Sequence, residues 1–215
     1  MKHDAVQWIA LFPQEEVPFI LAAVLRCSAG LRKRHATEHE NKLSDRLRRL
    51  LVQDGEFRLR PVQLYRETSL FDDDATGEGP LGRLDFYFVC STQTDKPWPY
   101  FGIEAKRLHV TSGSQWKSLI SEYVTGHQGM MCFIEERYAK GLASGGMLGY
   151  VFDRDVEQAR ARVAAAIVAN RPKLRSFSLL GLDPSCVIAG DRRVTESVHT
   201  LARRNFTIYH LFVAV

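Results

Sequence analysis

The stretches Gly82-Arg83-Leu84-Asp85-Phe86-Tyr87-Phe88 and Phe101-Gly102-Ile103-Glu104-Ala105-Lys106-Arg107 decide how this chain is read. Both place apolar residues at every second position, the pattern of half-buried strands. In the first, Leu84, Phe86 and Phe88 are expected to share one face, with Asp85 turned the other way. In the second, Phe101, Ile103 and Ala105 share a face, and Glu104 and Lys106 share the opposite one. The spacer 91–99 has turn composition, so the two strands are expected to pair as a hairpin. Asp85, Glu104 and Lys106 then meet on one side of a sheet.

Three charged groups among apolar strand residues are costly to bury without partners. A divalent cation would offset that cost. Mg²⁺ takes a few carboxylate oxygens and keeps several waters. Held there, it can stabilise charge on a phosphate and acidify a bound water. A neighbouring lysine can position that water or stabilise developing negative charge. The plain alternative is a salt bridge between Lys106 and one carboxylate; the second carboxylate in phase favours the metal site.

Working outward, 14–29 reads as a helix with Glu15 and Glu16 near its start. Its apolar run follows acidic rather than basic residues and is too short to span a bilayer, so neither a signal peptide nor a membrane span is expected. A second helix is expected over 36–52, with Leu43, Leu47, Leu50 and Leu51 inward and Arg46, Arg48 and Arg49 pointing elsewhere. Extending its apolar face back one turn puts Glu40 on or beside the buried side, an unusual place for a glutamate. Further expectations are a strand at 56–66, a loop at 71–80, and strands at 84–90 and 100–106. A helix at 114–139 follows, interrupted near Gly126 and Gly129, and would carry Trp116, Tyr123 and Tyr138 as core or interface residues. Then come a strand at 147–152, a helix at 154–169, a strand at 185–189, a short helix at 193–203 and a closing strand at 206–215. That order predicts an α/β class, a layered α/β/α domain with a central mixed sheet. The 215 residues fit a single domain, with 1–35 as an N-terminal helical extension.

The balance of 29 Lys and Arg against 25 Asp and Glu gives a net charge of +4, which permits nucleic-acid binding without demanding it. Basic residues cluster at Arg32-Lys33-Arg34, around Arg46 to Arg49, and at Lys106-Arg107. Brought to one face, such clusters could follow a phosphate backbone. The four cysteines form no CxxC pair and read as reduced, buried thiols of a cytoplasmic protein. His109, His127 and Cys132 match no common zinc spacing. His199 and His210 are expected as core or surface histidines.

An aspartate on one strand followed by Glu-x-Lys on the next resembles the signature of the PD-(D/E)XK nuclease superfamily, the restriction-endonuclease-like proteins. The likeness covers Gly82 to Arg107, including the Gly-Arg-hydrophobic-Asp lead-in. It implies a restriction-endonuclease-like fold and a Mg²⁺- or Mn²⁺-dependent endonuclease acting on nucleic acid, DNA before RNA. Asp85 and Glu104 would be metal ligands, with the backbone carbonyl of Ala105 as a third. Lys106 would act on the attacking water, and Glu40, or failing it Glu38, would be the helix glutamate of the catalytic set. Arg83, Arg107 and Gln115 are the expected nucleic-acid contacts. The family's Pro-Asp lead is absent, since Leu84 precedes Asp85. Its Gln-x-x-x-Tyr element is absent too, since the first tyrosine after Gln115 is Tyr123. By family analogy the setting is bacterial defence, with targeting from a homodimer or a partner protein. The alternative reading is a catalytically silent binding or assembly module on the same fold.

Overall fold

The computed structural model describes residues 12–70, 82–92, 99–112, 115–202 and 204–215. The expected loop at 71–80 lies outside the described residues, as does most of the 91–99 turn. Among the described residues, nine strands and six helices follow one another. Helices α1 (Glu16–Ser28) and α2 (Glu40–Gln53) lead through a single 3-10 turn at Phe57–Leu59 into β1 (Val62–Leu70), β2 (Gly82–Cys90) and β3 (Tyr100–Leu108). A small hairpin, β4 (Val110–Ser112) and β5 (Gln115–Lys117), precedes the short helices α3 (Ile120–Val124) and α4 (Met131–Ile134). Strand β6 (Ser144–Val151) is followed by α5 (Val156–Ala169), α6 (Arg171–Leu174), β7 (Asp183–Pro184), β8 (Val194–Leu201) and β9 (Arg204–Ala214).

Seven strands form one sheet in the order β1-β2-β3-β6-β9-β8-β7. The β3–β6 and β6–β9 pairs are parallel, and the other neighbours are antiparallel. The fold is therefore α/β with a mixed sheet. Strand β6 is buried along its whole length, as a parallel strand covered on both faces should be. Its Leu148 and Tyr150 enter a core beneath α1 and α2, whereas Met147 and Val151 enter a second core beneath α3, α4 and α5. Alternation along one strand thus feeds two apolar layers. The N-terminal helix belongs to the first: Ile20, Leu21 and Val24 are buried among Phe86, Phe88 and Leu211. Lys33, just beyond it, donates to the carbonyls of Phe152 and Val215 at 2.5 and 2.9 Å.

Several expectations fail for local reasons. The 114–139 helix is replaced by β5 and two short helices. At Gly126 and Gly129 the chain folds back so tightly that a Cβ on Gly129 would sit 2.3 Å from the carbonyl oxygens of Glu122 and Tyr123. Trp116 consequently lies on β5, 42% exposed, under the Arg162 guanidinium and donating to Asp153. The 193–203 helix is strand β8, paired with β9 over its full length. The 185–189 strand is a turn, in which Ser185 Oγ accepts from the N–H groups of Val187 and Ile188. Along α2, Leu50 is 39% exposed and Arg48 is buried, the reverse of expectation. All four cysteines are free, but only Cys90 and Cys132 are buried; Cys27 is intermediate and Cys186 exposed. Among the described residues no helix is long and apolar enough to cross a membrane.

A polar chain crosses the second layer. Tyr123 Oη lies 3.0 Å from His210 Nδ1, His210 Nε2 lies 2.8 Å from Ser197 Oγ, and Ser197 Oγ lies 2.7 Å from His199 Nε2. His199 Nδ1 is 2.8 Å from the Leu174 carbonyl. Burial holds His199 down to about 4 and His210 well below the usual histidine range, so both rings are neutral.

Candidate active site

Strands β2 and β3 pair from Phe86 opposite Ile103 to Val89 opposite Tyr100, and stop where Asp85 would meet Glu104. Strand β3 continues alone against β6. In the opening, the Asp85 carboxylate takes the place of a strand partner: Oδ2 accepts the Ala105 N–H at 2.8 Å. The β1–β2 ladder also omits Asp85, passing from Phe86 to Leu84. Leu84 joins the second core while Phe86 and Phe88 lie in the first. Its Cδ1 would stand 2.6 Å from a Cβ on Gly102, so the glycine leaves room for the Leu84 side chain where it lies. The expected common face of Leu84, Phe86 and Phe88 is thus broken at Asp85. The Asp85 side chain turns into the gap between β2 and β3 to a backbone donor, and that local bond displaces regular pairing. Phe101, Ile103 and Ala105 do share the first core, as their alternation predicts.

Glu104 is 3% exposed. Its Oε1 accepts from Lys106 Nζ at 2.6 Å, and its Oε2 has no hydrogen-bond partner. Burial, reinforced by the nearby Asp85 charge, pushes the Glu104 carboxyl up to about 8. Burial also pushes Asp85 up to about 6, against the pull of the Ala105 N–H and of Lys106. Burial opposes the Lys106 charge, but the Glu104 carboxylate beside it prevails and raises the ammonium. The three groups expected to meet therefore do meet, at the point where two strands separate.

Helix α2 supplies the remaining wall. It begins at Glu40, so Ala36 is not on it and Glu40 stands at its first turn, not on its buried stripe. Glu40 is about one-fifth exposed, yet its charge is felt at Asp85, Glu104 and Lys106. Its Oε2 lies 3.0 Å from Arg107 Nε without the alignment of a hydrogen bond. The fallback glutamate, Glu38, is committed elsewhere. Its two oxygens accept from Arg46 at 2.7 and 2.9 Å and from the Arg34 N–H at 2.7 Å, which hold its carboxyl down near 2. Arg107 faces both acids, donating to the Glu38 carbonyl at 3.3 Å. Sequence reasoning missed Arg48. It donates to the Asp85 carbonyl at 3.0 Å, pairs with Asp45 and lies over the Phe86 ring. The one signal was an aspartate three positions before an arginine on a helix, which is common on solvated faces.

Other expected residues fall apart from this group. Gln115 is exposed on the separate β4–β5 hairpin. The Arg83 side chain is exposed, and its backbone N–H and carbonyl bond the Tyr138 hydroxyl. Ala105, by contrast, lies within the group, giving its N–H to Asp85. His109 is buried beside Asp153 and the Trp116 ring.

Among the described residues, eight buried side-chain polar atoms lack a hydrogen bond, and Glu104 Oε2, Glu40 Oε2 and Arg107 Nε are three of them. Buried polar atoms are nearly always paired; Glu40 Oε2 and Arg107 Nε face each other as an ion pair at 3.0 Å, so Glu104 Oε2 is the atom that marks the group as a place built to receive something. Among the described residues no three His, Cys, Asp or Glu side chains converge closely enough to cage a metal ion. No family model matches the chain, and neither does any curated protein or solved structure.

Proposed function

We propose that this chain is a metal-dependent phosphodiesterase of nucleic acid, DNA before RNA, of the restriction-endonuclease-like kind. The observation that carries the reading is the buried, unpartnered Oε2 of Glu104 beside Asp85 and Lys106. The strand order adds support, since three antiparallel strands followed by a parallel crossover strand suit that fold.

The donor set fits a hard dication. Mg²⁺ or Mn²⁺ takes carboxylate oxygens, needs only one or two of them, and keeps waters in its remaining positions. A cage of three side chains is therefore not required. Glu104 and Asp85 would hold the ion, with the Ala105 carbonyl as a third ligand and Glu40 adding negative charge beside them. When bound, the ion supplies charge stabilisation at the phosphate and acidifies a water. The chain's own groups do the rest. Lys106, kept charged by Glu104, stands ready to steady negative charge as the phosphate is attacked. The Ala105 N–H fixes the Asp85 carboxylate in orientation. Arg107 holds Glu40 at the rim.

The test is incubation with supercoiled plasmid and Mg²⁺ or Mn²⁺, alongside Asp85→Ala and Lys106→Ala. Nicking that needs metal and is lost in both variants is expected. Cleavage that persists in both sinks the assignment. The silent binding module is favoured by the closed Lys106–Glu104 pair at 2.6 Å. It predicts that Mn²⁺ shifts the melting temperature of wild type no more than that of Asp85→Ala.

A further inference from the structure

Two basic clusters that are separate in sequence come together in space. A cleft of about 380 Å³ lies between the end of α1 and the outer side of α2; seven residues line it, four of them Arg32, Arg34, Arg46 and Arg49, and none acidic. Leu31 and Leu50 form its apolar floor. Arg32 is steadied by bonds to the carbonyls of Ala29 and Leu31 at 3.0 and 2.7 Å. Among the described residues, Arg46 is the one cleft arginine paired with a carboxylate, that of Glu38. Arg34 and Arg49 are exposed, and neither pairs with a carboxylate among the described residues.

Four like charges that share one carboxylate repel one another, and a further anion relieves that cost. The guanidinium fork suits phosphate oxygens especially well. The cleft is also joined to the carboxylate group. Glu38 takes Arg46 and the Arg34 N–H through its side chain and Arg107 through its carbonyl, and Arg107 reaches Glu40. One buried glutamate thus sets the spacing between the arginine cleft and the wall of the candidate site.

We propose that the Arg32–Arg34–Arg46–Arg49 cleft binds the phosphodiester backbone of a nucleic-acid strand and delivers that strand to the Asp85–Glu104 site, with Glu38 as a positioning residue. This rests on the reading of nucleic acid as the substrate. It assigns the main backbone contacts to α2 and the segment before it, instead of to Arg83 and Gln115.

The test is fluorescence anisotropy of a labelled oligonucleotide in EDTA, where no cleavage occurs, across a salt series. The proteins are wild type, Arg34→Ala/Arg49→Ala, and a control, Lys173→Ala/Arg192→Ala. The control removes two exposed charges that do not line the cleft. Melting curves of the three establish that each is folded. Each phosphate contact contributes about −0.7 to −0.9 to the slope of log K against log salt. The cleft variant should therefore lose about 1.5 of that slope and bind markedly more weakly at every salt concentration. The control should keep both its affinity and its slope. Equal slopes for wild type and the cleft variant overturn the proposal, as does equal loss in the control, which would show only diffuse charge. Failure of wild type to bind the oligonucleotide also overturns it. Arginine-dependent binding in a protein that cuts nothing with metal leaves the cleft standing and removes the nuclease reading.

Discussion

Replacing Glu104 by glutamine should make the protein less sensitive to alkali. The unfolded chain gives up this proton near 4.5, and the folded chain holds it to about 8. Between those values the unfolded state binds fewer protons, so wild-type stability falls as pH rises through the window and levels off above it. Three and a half pH units correspond to a ceiling of about 5 kcal/mol at 1.36 kcal/mol per unit. Lys106 lies 2.6 Å away and is 12% exposed, so it and the water it admits soften the penalty. About 2 kcal/mol is the expected difference at the effective dielectric of such sites. Glutamine keeps the shape and still accepts from Lys106, but has no proton to lose. Urea unfolding at intervals from pH 5 to 9, in EDTA, should show wild type losing that amount relative to Glu104→Gln. Parallel curves for the two proteins would refute the picture of a buried acid whose proton is held on by burial. At pH 8, Mn²⁺ should restore wild type and leave Glu104→Gln unmoved.

The Glu38–Arg46 pair should act on the acid limb. Its folded carboxyl sits near 2, below the usual 4.5, so its contribution is complete above 4.5 and is lost as pH falls toward 2. Glu38→Gln should flatten that limb by about 2 kcal/mol, discounted for the solvent-facing side of Arg46, and acid titration of the melting temperature reads it. Ser197→Ala removes the link between two neutral buried histidines and should cost about 1–3 kcal/mol in chemical denaturation; no loss would mean that the chain is not made in solution. Gly129→Ala drives a Cβ into two backbone carbonyls, which cannot swing aside as side chains do. The upper part of the usual overpacking range, about 3 kcal/mol, is expected in thermal melts, and a variant as stable as wild type would show that the turn is looser than described.

The alternating apolar residues of 100–107 fixed the phase of β3, so the meeting of Asp85, Glu104 and Lys106 was legible before any coordinates. The phase of β2 was legible only up to Phe86, because the turn of Asp85 into the strand gap leaves no trace in hydropathy. Strand β8 was hidden for a different reason. Its Val194, Val198 and Leu201 recur at helical spacing, while inward positions are held by Ser197 and His199. Those inward polar groups make sense only with partners contributed by β9 and α6. Arg48 and Glu38 were misplaced likewise. Hydropathy puts an arginine or glutamate outside, and burial of each depends on a particular acceptor or donor more than twenty residues away or across a turn.

The buried chain of Tyr123, His210, Ser197 and His199 has a fixed direction. The Leu174 carbonyl can only accept, so His199 Nδ1 carries that ring's single proton and its Nε2 must accept. Ser197 then donates to His199 and accepts from His210 Nε2, which leaves His210 Nδ1 to accept from Tyr123. Every group is spent in one sense, ending on an atom with no proton to pass on. Such a chain cannot conduct; reversing it would require turning over every donor at once. It serves instead as a one-way fastener, tying α3, β9, β8 and the end of α6 into a single unit on the side of the sheet away from α1 and α2.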